Sequence, residues 1–121
     1  MARVAVVTGG SRGIGEAISV ALRDAGMTVA ANFAGNEARA REFTDRTGIA
    51  AYQWDVSDYD ACVAGVARVE AGLGPVDVLV NNAGITRDGT MKRMTRQAWD
   101  EVIDVNLGGC FNMAKAVWDG M

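Results

Sequence analysis

The first stretch whose residue types and spacing could do chemistry is Thr8-Gly9-Gly10-Ser11-Arg12-Gly13-Ile14-Gly15. Gly9 permits a tight turn, Gly13 lets the backbone come close to a ligand, and Gly15 lets a following helix lie close on a sheet. A loop of this kind between a strand and a helix offers unpaired N–H groups and the positive end of a helix dipole. Both suit a phosphate or pyrophosphate. The bland alternative is a glycine-rich turn with no ligand. The setting decides between them, because the pattern counts only between a strand and an amphipathic helix. No Gly-Lys-Ser/Thr follows the glycines, so this is not a Walker A loop.

Four further groups stand out: Asn32, Asp55, Asn81-Asn82-Ala83-Gly84 and Asn106. Asp55 could equally cap the helix that follows it. Asn81 and Asn82 could simply bond loop backbone, since Asn tolerates turn geometry. Asn106 falls on a helical stripe with Trp99, Val102, Ile103, Leu107, Cys110, Phe111 and Ala114. Burying an amide without partners costs about 1–3 kcal/mol, so its partners should be specific. The structural alternative is an amide bonding a kinked backbone beside Gly108-Gly109.

These residues need elements to position them. Apolar, largely β-branched runs at 4–7, 28–32, 50–54 and 76–80 read as buried parallel strands. Helical patterns lie between them. In the first, Ile14, Ala17, Ile18, Ala21 and Leu22 repeat at helical spacing, with Gly26 as a C-terminal cap. The second runs over about 37–47 and ends at Gly48. The third carries Tyr59, Cys62, Val63, Val66 and Leu73, with Ser57 as its expected N-cap. A fourth, long pattern covers about 95–118. The order β-α-β-α-β-α-β-α with right-handed crossovers makes an α/β fold, a parallel sheet with helices on both faces. Each strand is followed at once by small or polar residues, and in such sheets ligands bind beyond the carboxyl ends of the strands.

Composition narrows the function. The 121 residues are 50% hydrophobic and carry a net charge of −3, which fits one folded domain spanning 1–121 and no nucleic-acid partner. There is no His, so neither a His-based triad nor a His-ligated zinc is available, and no metal site is expected. Cys62 and Cys110 form no C-x-x-C pair and read as small hydrophobes in a reducing compartment. No apolar run is long enough for a signal peptide or membrane span, so no membrane and a cytoplasmic location are expected.

The spacing T-G-x-x-x-G-x-G resembles that of the short-chain dehydrogenase/reductase family. Asp55, Asn81-Asn82-Ala83-Gly84 and Asn106 within Val105-Asn106-Leu107 resemble the family's further markers, in the right order along the whole chain. Within the family the chain is most similar to reductases of 3-oxoacyl thioesters, over 29–36, 52–62, 82–91 and 106–121. The resemblance implies a Rossmann-type sheet of order 3-2-1-4, truncated before the family's later strands. It implies that Gly9, Ser11, Arg12, Ile14 and Gly15 line a pyrophosphate and the adenosine ribose. Asp55 and Val56 would contact adenine, Asn82, Ala83 and Gly84 the adjacent ribose, and Asn106 would hold the water of a proton relay.

Charge bears on the choice of dinucleotide. Folds that prefer NAD place Asp or Glu after the second strand, on the ribose 2′-hydroxyl. Here that position is Asn32, and Arg12 could pair with a 2′-phosphate. Arg39 is a second candidate, and Glu37 lies nearby. NADPH is therefore expected over NADH.

The family's general acid is absent. Tyr52 and Tyr59 are the two tyrosines, and neither has Lys four residues on. The family's Ser is absent as well. The chain thus reads as the N-terminal, cofactor-binding half of an NADPH-dependent reductase, inactive alone. In the intact parent the substrate would be an acyl-CoA. A nucleotide-binding module without chemistry and an interaction fragment are the alternatives. A homo-oligomer is expected, because the fourth strand would lie at a sheet edge and Trp99, Phe111 and Trp118 would be partly uncovered.

Overall fold

Side chains of β1 (Val4–Val7) are buried on both faces of a sheet, and they sort by alternation. Val4 and Val6 join one core with Ala30, Trp54, Val66 and Met113, while Val7 joins another with Val29, Ala31, Phe43 and Ile49. The computed structural model describes residues 2–85 and 89–121. β2 (Thr28–Phe33), β3 (Ala50–Gln53) and β4 (Val78–Val80) complete a four-stranded parallel sheet of order β3-β2-β1-β4. β1 pairs with β2 from Val4 opposite Thr28 and with β4 from Ala5 opposite Val78. The expected fold and strand order hold, and β4 forms an edge of this sheet.

α1 (Gly13–Asp24) and α2 (Glu37–Thr47) cover one face, and α3 (Tyr59–Leu73) and α5 (Gly109–Trp118) the other. α4 (Arg96–Val102) leads into a π-helical segment, Ile103–Gly108, and then into α5. Phe43 of α2 is fully buried, a placement that stabilises by about 1.5–3 kcal/mol. Gly26 and Gly48, at φ +96 and +75, stop α1 and α2 as expected.

Several expectations are corrected. The fourth strand is shorter than 76–80, because Asp77 departs from regular pairing. Its carboxylate accepts from the Val4 N–H at 2.8 Å, and its own N–H donates to the Val4 carbonyl. Asp58, not Ser57, caps α3, accepting from the Ala61 N–H at 3.1 Å. In α1 the buried positions are Gly15 and Ser19, and Ile14, Ala17 and Ala21 are exposed. In α3 Gly65 is buried beneath the Trp54 ring, and Val63 is exposed. The stripe expected on the last helix also faces outward: Trp99, Leu107, Phe111 and Ala114 are exposed, and Gly109, Met113 and Val117 are buried. That helix is apolar on two sides, and spacing alone picked the side with the larger residues. The side against α3 instead carries Gly109, where a Cβ would lie 2.7 Å from Val56.

Candidate functional site

The loop between β1 and α1 is held from below and open above. Gly9 and Gly13 sit at φ +61 and +57, the left-handed region that side chains resist. The Gly10 N–H donates to the Asn32 carbonyl at 3.0 Å, and the Ser19 hydroxyl donates to the Gly10 carbonyl at 2.9 Å. A Cβ on Gly15 would collide with the Gly9 carbonyl and with Asn82. Helix α1 has no side-chain cap: Arg12 is extended, and the first helical bond runs from Glu16 N–H to the Arg12 carbonyl. The N–H groups of Gly13, Ile14 and Gly15 therefore lack helical partners, which is the arrangement that receives an anion. Ile14 beside them is 77% exposed on the cleft wall.

Thr8 joins this loop to the one after β4. It is 1% exposed, and its hydroxyl accepts from the N–H groups of Asn82 at 3.0 Å and Ala83 at 2.9 Å. The Asn82 amide returns two bonds, to the carbonyls of Thr8 and Gly9, both at 3.2 Å. Asn82 thus bonds loop backbone, as its structural reading had it. It lines the same cleft as Ala83 and Gly84. Thr8 and Ser19 carried no expected role. Their signal was a hydroxyl closing an apolar strand and one on a helix face otherwise apolar.

Asn32 lies inside β2 rather than after it, and is buried. Its amide donates to the Trp54 carbonyl at 2.9 Å, and its oxygen accepts from the Gly9 N–H at 3.3 Å, tying three strand ends together. From Phe33, the last residue of the strand, to Asn36 every residue lines the cleft, and none is a carboxylate. Asn36 caps α2 by accepting from the Arg39 N–H at 3.0 Å. Arg12 and Arg39 both line the cleft, and among the described residues neither forms an ion pair. Glu16 is engaged elsewhere: a hydrogen bond from Arg46, then the charges of Arg46 and Arg39, hold its carboxyl below the usual range.

Asp55 follows β3 and does not cap α3. Its carboxylate accepts from Ser57, at 2.9 Å from the N–H and 2.7 Å from the hydroxyl. Next to it the Val56 carbonyl accepts from the Asn112 amide at 2.9 Å and the Cys62 thiol at 3.5 Å. Burial pushes that thiol up to about 11, so Cys62 is a structural group. Asn106, in the π-helical segment, is exposed, yet both its side-chain oxygen and its nitrogen have a partner. Its oxygen accepts from the Ile85 N–H at 2.8 Å, and its amide donates to the Ile85 carbonyl at 3.1 Å. The expectation of specific partners holds, and that of burial does not.

All the expected cofactor residues, Gly9 through Gly84, line one cleft of about 700 Å3; Asn106 lies just behind its wall at Ile85. Glu101, Asp104 and Val105 close the side facing the last helix. Part of the stretch 82–91 that carried the family resemblance lies outside the described residues.

The sequence pattern described as "short chain dehydrogenase" matches residues 3–121. The chain belongs to the short-chain dehydrogenase family. Among its relatives, acetoacetyl-CoA reductases of Paracoccus denitrificans and Rhizobium meliloti (strain 1021) are 65% and 64% identical over the whole chain. The 3-oxoacyl-[acyl-carrier-protein] reductase of Staphylococcus aureus (strain Mu50) is 44% identical over 93% of it. The chain spans about half the length of these relatives, 50%, 50% and 48%. Among solved structures, a blue fluorescent protein from a metagenomic library, in complex with NADPH, superposes with a TM-score of 0.89 at 33% identity. That match covers 98% of this chain and 51% of the other. The short-chain dehydrogenase fold expected from the glycine spacing is thus the one observed. Among the described residues no helix is long and apolar enough to cross a membrane, and no group of His, Cys, Asp or Glu could hold a metal.

Proposed function

We propose that the cleft binds a nicotinamide dinucleotide, NADPH over NADH, and that residues 1–121 are the cofactor-binding half of an acetoacetyl-CoA reductase. The observation that carries this is the uncapped N-terminus of α1, opening on a cleft lined by Arg12 and Arg39. Its donors and charges fit a pyrophosphate and a 2′-phosphate, and the cleft is long enough to span three strand ends. Bound there, the nicotinamide dinucleotide supplies a hydride for reducing a ketone.

The chain's own residues bind and orient. Gly9, Ser11, Arg12, Gly13, Ile14 and Gly15 hold the phosphates and the adenosine ribose, with Arg12 on the 2′-phosphate. Asp55 and Val56 receive the adenine, and Ala83 and Gly84 form the floor beneath the adjacent ribose. Asn32 and Asn82 serve by shaping the loops. The side chain of Asn106 holds the loop at Ile85, and Asn106 would hold the relay water. The whole enzyme would reduce acetoacetyl-CoA to 3-hydroxybutyryl-CoA in polyhydroxybutyrate synthesis, in the cytoplasm and as a homo-oligomer.

The 121 residues contain no Tyr-x-x-x-Lys, so the proton donor of the family is not among them. The chain alone is expected to bind NADPH and to give no turnover with acetoacetyl-CoA. Cofactor titration and a reduction assay on the isolated chain test both halves of this reading. Saturable binding with turnover overturns the inactivity, and no saturable binding overturns the cofactor site. A carrier-protein thioester as the true substrate is the second reading, favoured by the Staphylococcus aureus relative. Comparing both thioesters on the full-length enzyme separates the two.

A further inference from the structure

Two short chains of hydrogen bonds meet in the loop after β4. From one side the buried Thr8 hydroxyl accepts from the Asn82 and Ala83 N–H groups, at 3.0 and 2.9 Å. It also lies 3.4 Å from the Val80 carbonyl, to which it donates. One donor and two acceptor positions are then in use, the full capacity of a hydroxyl. From the other side the Asn106 amide clamps Ile85 through both its N–H and its carbonyl. Between the anchors at Ala83 and Ile85 lies only Gly84. A residue spans at most about 3.6 Å of chain, so the segment has almost no slack. Gly84 is also hemmed in, because a Cβ there would stand 3.1 Å from the Asn106 oxygen. The Asn82 amide meanwhile bonds the Gly9 carbonyl of the phosphate loop itself.

We propose that Thr8 is a positioning residue for Asn106, and that the phosphate loop, the segment 82–85 and the π-helical segment move as one unit. A shift of the phosphate loop passes through Thr8 and Asn82 to Ile85, and from Ile85 to the amide of Asn106. Occupation of the phosphate loop therefore tightens the Asn106 clamp. The ligand half of this statement rests on the dinucleotide reading of the cleft, and the coupling itself does not.

The test is amide hydrogen exchange and side-chain amide NMR on the full 121-residue chain. In Thr8→Val, which keeps the shape and removes the hydroxyl, exchange at Ile85 should rise at least tenfold, and the Asn106 side-chain resonances should move toward solvent-exposed positions. Thr8→Ser, which keeps the hydroxyl, should restore both. Should Thr8→Val fail to fold, the unsubstituted chain decides. The amides of Asn82, Ala83 and Ile85 should then open together, with one common denaturant dependence. Added NADPH should slow exchange at Ile85 along with that at Gly13 to Gly15. Unmoved Asn106 resonances in folded Thr8→Val, or separate openings at Ala83 and Ile85, overturn the coupling. NADPH that binds and leaves Ile85 unchanged overturns its link to the ligand. A lack of saturable NADPH binding sinks the cofactor reading alone and leaves the ligand-free comparison to decide the coupling.

Discussion

At the β1–α1 corner, Thr8, Ser19, Asn32 and Asn82 all spend their polar atoms on loop backbone, and Gly15 leaves no room for a Cβ. Along α4 to α5, Trp99, Leu107, Phe111 and Trp118 stand exposed while Met113 and Val117 face the core. The first region is closed by the chain's own residues, and its one open side is the cleft. The second has an inner apolar face that is covered and an outer one that is not. The difference separates two uses of apolar and small residues. Some are there because a neighbour within these residues demands them. Others present a surface to whatever lies beyond.

Truncation of an aromatic side chain draws that line most strongly. Phe43→Ala, in the core under α2, should cost about 3–5 kcal/mol in urea unfolding. Phe111→Ala, 64% exposed, should cost within about 0.5 kcal/mol at low protein concentration. A homodimer held by the outer face would add a further cost that grows with concentration. Light scattering checks this: Phe111→Asp should lower the mass of the assembly, and a clean monomer for the unsubstituted chain would remove the interface from the proposal.

Next in size is Gly15→Ala. The added methyl meets the Gly9 carbonyl and Asn82, so about 1–3 kcal/mol of stability and most NADPH affinity should go together. Retained binding would mean that the corner is softer than its packing indicates. Arg12→Ala should narrow the NADPH over NADH preference roughly tenfold, about 1.4 kcal/mol, with little change in stability. An unchanged ratio moves the 2′-phosphate to Arg39, for which Arg39→Ala is the matching titration.

The smallest effect is on pH. The hydrogen bond from Arg46 holds the Glu16 carboxyl below its ordinary value of 4.5. A carboxyl with a lowered folded value stabilises above its unfolded value, and that contribution is lost as pH falls through the folded one. Glu16→Gln should therefore flatten the loss of stability below about pH 4.5 and leave neutral pH nearly unaltered. Acid titrations of both proteins, followed by circular dichroism, make the comparison.

Much of this architecture was legible beforehand because it is local. Parallel strands buried on both faces read as apolar runs, and β1, β2 and β3 fall within a residue of their expected ends. Helix stops at Gly26 and Gly48 follow from a backbone conformation that glycine adopts freely. The glycine loop was legible for the same reason. Ser57 failed as the expected cap because Asp58 beside it is an equally good one, and the turn made by Asp55 engages Ser57 instead.

By itself, then, the chain's order of residues determined the α/β alternation, the glycine-loop corner and the edge of the sheet along which polar residues gather. Those follow from periodicity, steric freedom and strand direction, which act over a few residues. Tertiary structure decided the rest. It placed Asn32 within β2, holding strand ends together at the wall of the cleft. It gave Thr8 its partners 74 and 75 positions away. It turned Gly109, Met113 and Val117 inward and the larger Trp99, Leu107 and Phe111 outward. A helix with two apolar sides buries the one whose small residue allows the closest approach, and which side that is depends on Val56, more than fifty residues upstream.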